Sequence, residues 1–587
     1  MLLMKRTASP SQFNDVNFAI VSGLAERFAA LTAGDSLVIG ETCFGTGLNF
    51  LRTWQLFEQS AAAGASLDFF SVAEFPLDDD ELRAELALSP ELCVLADALL
   101  DRWRRRVPGW NRWNFCAGRV RLTLAISGVD EALAEAQGVD AWFVSGTVGN
   151  SEVRAQAIAR ASYPGATMAM HGCDAPVQKC FAAAGFVLEE LPGEYDLLRG
   201  RLAGIAPARR TPASAIVVGG GIAGCAAAHA LAVRGVAVTL VERAPMLASA
   251  ASGNPRGILH ARLGAAMNAQ QRLVLAAYGH ALALLDQHLR VDDVLRAECG
   301  LLQLAFSDKE ATRIERLLAH EWPPHLLQRV DAAQASKLAG IELQQGGLWF
   351  PAGGWVAPPQ WCARLADHPG IVQRAGHSVE TLSPTETGWR VAGSDAMGRA
   401  WAHDAEIVVV CCAQQAQALP QFAHFPLTAV RGQITELPAT PSSSALRAVV
   451  CADGYVTPAQ DGRHLTGATH SLDDHSVEVR AADHAENVAR LATRFPALLR
   501  ALGEIDVEHL SGRAAVRCSA PGSMPLIGEV LPRLYCSLAH GTRGLLTAGL
   551  AGEMIAAAAC QQLMPLPSSV IAALQPTVRT QGRNAGS

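Results

Sequence analysis

The sequence lacks the features that mark a membrane protein, a metal-cluster protein or a strongly basic nucleic-acid-binding protein. No apolar run is long enough to span a bilayer, and none follows the positive charges near the start, so we expect a cytoplasmic protein without a membrane partner. The 14 cysteines show neither a CxxC pair nor a Cys/His metal spacing, which predicts reduced thiols and no metal. The net charge of −7 gives no global sign of a nucleic-acid partner.

The length and the composition indicate a folded protein of several domains. At 587 residues the chain is too long for one hydrophobic core, so two or more domains are expected. Half of the residues are hydrophobic and 18% are charged, which is ordinary for a globular protein. Function must therefore be sought in local motifs.

A glycine-rich turn between a strand and a helix lies in the middle of the chain. The apolar residues 216–218 predict a buried strand, and Gly219, Gly221 and Gly224 follow it before an Ala-rich helical pattern. These glycines allow a tight turn, backbone approach to a pyrophosphate and close helix packing. A second strand ends about 20 residues later on Glu242, which can accept hydrogen bonds from ribose hydroxyls. The unit predicts FAD or NAD rather than NADP, and the alternative is an empty βαβ unit.

A second strand, turn and helix pattern lies near the start of the chain. A short apolar run is followed by Glu41, Gly45 and Gly47, and Glu74 follows the next predicted strand. In Rossmann-like methyltransferases, an acid and two glycines after the first strand contact the amino-acid end of S-adenosylmethionine. A second acid, after the next strand, usually holds the ribose. We predict that these four residues bind that cofactor. The alternative is a glycine-rich turn without a ligand.

Basic and aromatic residues alternate between Arg102 and Trp113, with Trp103, Trp110 and Arg112 among them. Such a stretch could hold phosphates and stack bases. A charge run is more often the solvated face of a helix. Both interpretations stay open at this point.

The second half contains further segments that predict contacts with a cofactor. Residues 248–262 are rich in small side chains and include Gly253, which would allow the backbone to pass close over a bound flavin. Residues 540–545 form a glycine turn before a long Ala-rich helical pattern, a natural seat for the polar edge of a flavin. Between them, residues 292–468 predict an inserted α+β substrate domain, and the run 406–413 predicts a strand that returns to the nucleotide sheet.

The order of these two modules resembles the family of bifunctional tRNA 5-methylaminomethyl-2-thiouridine biosynthesis proteins over nearly the whole chain. The motifs that carry the resemblance are GETCFGTGLNFLRTW, GGGIAGCAAAHALAVRGVAVTLVE, ASGNPRG, VRGQI and HGTRGL. The resemblance implies an α/β protein with a Rossmann-like S-adenosylmethionine-dependent methyltransferase domain and a Rossmann-type FAD-binding domain carrying the inserted substrate domain. The predicted bounds are 1–200 for the first domain, 201–213 for a linker, 214–576 for the FAD-dependent oxidoreductase domain and 577–587 for a disordered tail.

The family resemblance also implies the activity. The FAD half would remove the carboxymethyl group from 5-carboxymethylaminomethyluridine at the tRNA wobble position, and the other half would methylate the exposed amine. FAD and S-adenosylmethionine are the implied cofactors, tRNA is the implied partner, and a monomer is expected. Arg517 matches the arginine that clamps the substrate carboxylate in related amine oxidases, and Thr542, Arg543 and Gly544 would lie beside the flavin ring.

Most departures from the family motifs fall in the first half, where the family's Gly-Asp pair after an earlier strand appears as Ser127-Gly128 and positions near Asp15 to Glu26 are partly altered. Cys43 stands where family members have glycine, and its side chain could crowd the methionine end of the cofactor. Ser145, at the end of a predicted strand, replaces an aspartate that is thought to serve the methylation. A serine cannot deprotonate an ammonium near neutral pH as a carboxylate could, so Ser145 argues against methyl transfer while the fold is kept.

Two other functions are compatible with the same motifs. One is an FAD-dependent oxidase of a free amino acid or secondary amine, with a vestigial N-terminal domain. The other is a tRNA-binding protein without catalytic activity. A flavin bound to the purified protein would exclude the second, and turnover of sarcosine or glycine without tRNA would favour the first.

Overall fold

A computed structural model describes residues 23–145, 151–171, 174–190, 197–206, 209–289, 291 and 294–576. The predicted tail at 577–587 lies outside the described residues. The chain separates into two compact units. The domain boundaries predicted from the sequence, at residues 200, 213 and 576, stay predictions. The first unit takes its described residues from Met1–Pro212, Val233–Val236 and Ala556–Ala572, and the second from Ala213–Ala232, Ala237–Ile555 and Ala573–Ser587.

The described part of the first unit alternates strands with helices. Its helices are α1 (Leu24–Ala29), α2 (Leu48–Ser60), α3 (Asp79–Leu86), α4 (Cys93–Trp103), α5 (Val129–Glu135), α6 (Ser151–Ala161) and α7 (Ala175–Ala183). Its strands are β1 (Ser36–Glu41), β2 (Ser66–Val72), β3 (Gly109–Phe115), β4 (Val120–Ile126), β5 (Val139–Ser145), β6 (Ser162–His171), β7 (Phe186–Glu190) and β8 (Leu197–Leu202).

These strands form one sheet in the order β3-β4-β2-β1-β5-β6-β8-β7. The central strands run parallel, and the pairs β3/β4, β6/β8 and β7/β8 are antiparallel. The chain order reverses between β1 and β5, and ligands of open α/β sheets bind outside the carboxyl ends of the strands at such a point. Trp142, Phe70 and Met168 are among the residues of the core on one side of this sheet. This arrangement confirms the predicted Rossmann-like fold of the first half.

The stretch between Arg102 and Trp113 is divided between surface and core. Arg104 after α4 is exposed, as expected for a solvated charge run, but the tryptophans are buried and do not form a surface that could stack bases. Trp103 and Trp113 are at most 1% exposed, and Arg112 is equally buried. The Arg112 guanidinium lies 2.9 Å from a carboxylate oxygen of Asp68 on β2. The aromatic rings fill the core because β3 extends the sheet, and the buried arginine is paired with a buried acid, as burial of a charge requires.

The second unit has more elements. Its helices are α8 (Ile222–Ala232), α9 (Ala269–His288), α10 (Asp308–Leu318), α11 (Ala332–Ala339), α12 (Pro358–Ala366), α13 (Ala481–Arg494) and α14 (Pro496–Leu502). The last two described helices, each divided between the units, are α15 (Gly544–Ala559) and α16 (Ser568–Leu574). The strands before residue 380 are β9 (Ser214–Val218), β10 (Ala237–Glu242), β11 (Gly257–Leu259), β12 (Arg296–Ala297), β13 (Leu301–Leu304), β14 (Gln328–Val330), β15 (Gly347–Phe350), β16 (Gly354–Val356) and β17 (Ile371–Ala375).

Twelve further described strands follow. They are β18 (Thr381–Pro384), β19 (Trp389–Ser394), β20 (Ala400–Ala405), β21 (Ile407–Val410), β22 (Thr428–Pro438), β23 (Val449–Cys451), β24 (Tyr455–Val456), β25 (Arg463–Gly467), β26 (Ser471–Leu472), β27 (Ser511–Ser519), β28 (Leu526–Leu531) and β29 (Leu534–Leu538).

Two large sheets organise the second unit. The nucleotide sheet has the order β17-β10-β9-β21-β29-β28, with β9 parallel to β10 and β21. The other sheet has nine strands, in which β22 pairs with β25, β26 and β27. The returning strand predicted at 406–413 is confirmed as β21. The middle of the chain is nevertheless not one continuous insertion, because β17 also joins the nucleotide sheet and the later strand β27 belongs to the nine-stranded sheet.

The described helices and the described metal-ligating side chains bear on membranes and metals. No helix among them combines the length and the apolar character needed to cross a membrane. Over the same described ranges, no group of three or more His, Cys, Asp or Glu side chains is arranged to hold a metal ion.

Candidate active sites

A cavity of about 930 Å³ opens at the carboxyl ends of β9 and β21 in the second unit. Its wall combines the turn after β9, the small-residue segment before β11, part of β27 and the start of α15. The strand order reverses between β9 and β21, so the cavity lies where open α/β sheets bind nucleotides. The nine-stranded sheet closes the cavity through β24 and β27. One cavity therefore joins a nucleotide turn to a separate wall of side chains.

The glycine turn after β9 has no room for side chains. Gly219 has φ +108°, and a Cβ on it would lie 2.8 Å from the carbonyl oxygen of Cys411. A Cβ on Gly224 would lie 1.7 Å from the carbonyl oxygen of Gly219, so only glycine lets α8 pack against the turn. The Glu242 carboxylate accepts backbone N–H bonds from Gly220 (2.7 Å) and Ala244 (2.8 Å), which fixes it at the cavity wall. This geometry fits a dinucleotide.

The structure brings most of the predicted FAD-site residues together. Those that line the cavity are Gly219, Gly221, Glu242, Arg517, Thr542, Arg543 and Gly544. Gly224 and Gly253 are not part of the lining. They support it, because a Cβ on Gly253 would lie 2.5 Å from Nη2 of Arg513, which packs across this glycine.

Arg517 extends from β27 into the cavity. Its Nη2 donates to the carbonyl oxygen of Thr469 (3.1 Å), and its Nε is buried without a hydrogen-bond partner among the described residues. Burial lowers the pKa of Arg517, and Tyr455 opposes this shift. The guanidinium passes directly over Gly432, where a Cβ would lie 2.1 Å from Nη2. A half-buried cation whose buried Nε has no partner among the described residues is suited to an anionic group of a ligand in the cavity.

The VRGQI motif holds the wall beside Arg517. Arg431 is fully buried, and its Nη1 lies 2.7 Å from a carboxylate oxygen of Asp483. Its Nε donates to the carbonyl oxygen of Ser476 (3.0 Å). The backbone amide of Gln433 donates to the hydroxyl of Thr469 (3.0 Å). The motif therefore fixes the segment that follows β25, including the carbonyl group to which Arg517 donates.

His540 stabilises the turn before α15. Its Nε2 lies 2.9 Å from the hydroxyl of Ser537, and its Nδ1 lies 2.8 Å from the hydroxyl of Thr547. Burial lowers the pKa of His540 to about 4, so the imidazole is neutral at physiological pH. A neutral ring with both nitrogen atoms bonded holds the backbone of the turn in place without adding a charge.

The candidate site of the first unit is centred on Glu41, at the end of β1. Its carboxylate accepts hydrogen bonds from Ser71 Oγ (2.7 Å) and Asn49 Nδ2 (2.8 Å). Burial raises the pKa of Glu41 to about 7, although both hydrogen bonds oppose the shift. The turn that follows contains Gly45 (φ +53°) and Gly47 (φ +78°), two positive angles that favour glycine. A Cβ on Gly45 would point into open space, where a ligand can approach.

The other predicted residues of this site lie at the carboxyl ends of neighbouring strands. Glu74 is exposed after β2. Ser127, which was not predicted as a site residue, follows β4 and has a buried hydroxyl without a partner in the described residues. Ser145 ends β5, and its backbone amide donates to the hydroxyl of Thr42 (3.1 Å). The partnerless hydroxyl, the exposed acid and the open glycine turn fit a polar cofactor such as S-adenosylmethionine.

Comparisons with known proteins agree with this geometry. The model of the FAD dependent oxidoreductase family matches residues 214–558. The tRNA 5-methylaminomethyl-2-thiouridine biosynthesis bifunctional protein MnmC of Nitrosospira multiformis is 52% identical over 97% of this chain and 96% of its own length. The chain belongs to the MnmC family. The MnmC protein of Chromobacterium violaceum is 40% identical over 96% of this chain and 94% of its own length.

Solved structures resemble the FAD half of this MnmC-family chain in fold. Glycine oxidase from Geobacillus kaustophilus has a TM-score of 0.52 and 23% identity, and covers 63% of this chain and 99% of its own. The fructosyl amine oxygen oxidoreductase Amadoriase I from Aspergillus fumigatus has a TM-score of 0.52 and 17% identity, and covers 63% and 91%. At these identities the likeness shows a shared fold.

Sequence reasoning missed several residues that line the cavity of this MnmC-family protein. Tyr455 on β24 is one of only five tyrosines in the chain, and burial raises its pKa to about 12 while Arg517 opposes the shift. His260 and Arg490 also line the cavity. No local motif marks Tyr455 or Arg490, because they reach the cavity from β24 and α13, elements distant in sequence from the glycine turns. His260 lies within the small-residue segment 248–262, but its side chain was not singled out. The rarity of tyrosine was the one available signal.

Proposed function

We propose that the protein modifies the wobble uridine of tRNA in two steps. An FAD-dependent step removes the carboxymethyl group from 5-carboxymethylaminomethyl-(2-thio)uridine, and an S-adenosylmethionine-dependent step methylates the exposed amine. The observation that carries this function is 52% identity, over 97% of the chain, to an enzyme named for biosynthesis of 5-methylaminomethyl-2-thiouridine. The FAD dependent oxidoreductase match over residues 214–558 supports the first step independently.

The residues of the cavity suit the oxidative step. FAD, when bound, supplies a hydride acceptor for the carbon between the substrate nitrogen and its carboxylate. Arg517 would bind that carboxylate through charge-assisted hydrogen bonds, using the buried Nε that has no other partner among the described residues. Tyr455 lines the same cavity and keeps its proton at neutral pH, so it can donate to the same carboxylate. Hydrolysis of the oxidised carbon–nitrogen bond then leaves an aminomethyl group and glyoxylate.

The methylation step depends on loss of a proton from the new ammonium group. Ser145 cannot accept that proton near neutral pH, and the carboxylate of Glu41 is already engaged by Ser71 and Asn49. Neither of these two side chains therefore serves as an efficient base, and the amine must lose its proton before it reacts. We propose that methyl transfer is the slower of the two activities and that its rate rises with the fraction of neutral amine.

The assembly and the location of the enzyme are part of the same proposal. It acts as a monomer in the cytoplasm, with tRNA as its macromolecular partner and without a metal. Size-exclusion chromatography with light scattering, on the protein alone and with tRNA, measures whether it is a monomer. A stable dimer at micromolar concentration would contradict it.

Mass spectrometry of wobble nucleosides tests the function. Full-length protein with bound flavin is incubated with tRNA that carries 5-carboxymethylaminomethyluridine, with and without S-adenosylmethionine. We expect the carboxymethyl group to disappear in both reactions and the methylaminomethyl nucleoside to accumulate slowly in the second. Unchanged tRNA together with oxidation of sarcosine or glycine would overturn the proposal in favour of a small-molecule oxidase. Unchanged tRNA without any oxidation would favour a binding protein.

A further inference from the structure

Arg513 joins the nine-stranded sheet to the segment that crosses the nucleotide turn. It lies on β27, and its Nη1 donates to the side-chain oxygen of Asn254 (3.1 Å). Its Nη2 donates to the carbonyl oxygens of Ser249 (2.8 Å) and Ala250 (2.5 Å). One guanidinium therefore holds both ends of a short loop, residues 249–254, which we call the clamp loop.

The clamp loop lies directly against the start of α8. The hydroxyl of Ser252 accepts a hydrogen bond from the backbone amide of Ile222 (3.0 Å), one of the first amides of that helix. A Cβ on Gly221 would lie 3.2 Å from the same hydroxyl oxygen. Just before the loop, the backbone amide of Ala248 donates to the carbonyl oxygen of Gly220 (2.9 Å). The loop thus forms one wall of the place where a helix N-terminus receives a phosphate.

The charge of Arg513 has no counter-ion within the part of the chain that the structure describes. Its hydrogen-bond acceptors there are two carbonyl oxygens and an amide oxygen, all neutral. Partial burial lowers the pKa of Arg513, as expected for a cation that is partly withdrawn from water without a carboxylate beside it. A diphosphate bound at the start of α8 would supply negative charge close to the clamp loop.

The packing around Arg513 leaves little freedom. A Cβ on Gly253 would lie 2.5 Å from its Nη2 and 2.7 Å from the carbonyl oxygen of Ala248. Only glycine therefore lets the loop pass beneath the guanidinium. Residues 513 and 517 stand on the same face of β27, about 13 Å apart along the strand at about 3.3 Å per residue. The same strand face thus presents one arginine to the clamp loop and another to the cavity.

We propose that Arg513 is a positioning residue for FAD, which holds the clamp loop in the conformation that receives the cofactor diphosphate. It acts through Ser252 and the backbone of the loop rather than by touching the reacting atoms. Because β27 also carries Arg517, the strand sets the distance between the diphosphate and the group that binds the substrate anion. Loss of Arg513 should weaken FAD binding before it affects any chemical step.

Flavin binding by full-length variants tests this role. The FAD dissociation constant is measured by fluorescence titration of the deflavinated protein, and the melting temperature is measured with and without saturating FAD. Arg513→Gln should raise the dissociation constant about tenfold, the loss expected for hydrogen bonds from a charged donor. Its melting temperature should fall more with FAD than without it, because the lost interaction belongs to the bound state.

Arg119→Gln is the matched control. Arg119 is also a half-buried arginine that donates to two carbonyl oxygens, those of Ala65 (3.3 Å) and Ala62 (3.3 Å), but it belongs to the first unit and does not hold the clamp loop. This variant should lower both melting temperatures equally and leave the FAD dissociation constant unchanged. Equal increases of the dissociation constant in the two variants would show a general loss of structure and overturn the proposal.

Two further variants keep the test decisive if Arg513→Gln folds poorly. Asn254→Ala removes one of the three acceptors and should weaken FAD binding to a smaller extent. An unchanged dissociation constant in that variant would contradict the proposal. Arg513→Lys keeps the charge but lacks the two separate Nη donors of the guanidinium. Its affinity for FAD should therefore lie between those of Arg513→Gln and the wild-type protein. Full recovery with lysine would show that charge alone is sufficient and would overturn the positioning role.

Discussion

The hydroxyl of Ser71 donates a 2.7 Å hydrogen bond to the carboxylate of Glu41 on the neighbouring parallel strand. Even with this bond, burial raises the pKa of Glu41 from 4.5 to about 7. Between these values the folded protein holds a proton that the unfolded chain has lost. The free energy of unfolding should therefore fall as pH rises from about 4.5 to about 7, by about 3 kcal/mol for this group.

The variant Glu41→Gln removes this titration while it keeps both hydrogen-bond partners. Urea unfolding of the full-length protein without ligand should be measured at several pH values between 5 and 8. The transition that reports on the first unit is the one to follow. The wild-type protein should lose stability across this range relative to the variant. Parallel curves for the two proteins would contradict the assigned pKa. Binding of the cationic cofactor should release a proton near pH 7, since it favours ionised Glu41.

Arg517→Gln should strongly slow oxidative turnover while the flavin stays bound. The buried Nε of Arg517 has no partner in the described residues, so the substrate carboxylate is its expected ligand. Loss of the charge should lower kcat/KM for the carboxymethyl substrate about 100-fold, the usual scale for breaking a buried charge pair. Stopped-flow reduction of the flavin by substrate measures the effect. Arg390→Gln is the control, because Arg390 pairs with Asp404 on an exposed hairpin. Equal rates in the two variants would show that Arg517 is structural.

Gly224→Ala should abolish FAD binding. Its Cβ would lie 1.7 Å from the carbonyl oxygen of Gly219, a backbone atom that can move away only if the turn opens. The purified variant should be colourless, and its absorbance at flavin wavelengths measures the loss. Gly128→Ala in the first unit provides a tolerated change of the same kind, since its nearest contact would be Glu74 Oε1 at 3.9 Å. A yellow Gly224→Ala protein would show that the turn adapts and that the predicted clash is relieved.

Ser145→Asp should accelerate methyl transfer at neutral pH. The substitution places a carboxylate at the end of β5, where it can accept the proton that serine cannot. Formation of the methylaminomethyl nucleoside from aminomethyl tRNA should be followed by mass spectrometry between pH 6.5 and 9. We expect the wild-type rate to rise with pH and the variant rate to depend on pH less. Ser145→Ala serves as the control and should behave like the wild type. A much slower Ser145→Ala enzyme would show that the hydroxyl itself takes part.

Local sequence determined the two nucleotide turns. A strand, a set of spaced glycines and a helix are consecutive in the chain, and their backbone requirements act over a few residues. Gly219, Gly221, Glu242, Glu41 and Gly45 could therefore be placed at the carboxyl ends of their strands before any fold was known. The returning strand β21 was also predictable, because a short continuous apolar run is typical of a strand buried on both faces.

Only the tertiary structure decided which side chains meet. The alternation of basic and aromatic residues around Trp103 indicates a surface when it is considered alone, but β3 joins the sheet and Asp68 offers Arg112 a buried partner. Tyr455 reaches the cavity from β24, and Arg513 reaches the clamp loop from more than 250 positions away in the chain. Such contacts depend on how strands pair and pack over long distances, and burial of each charge depends on the partner that packing brings to it.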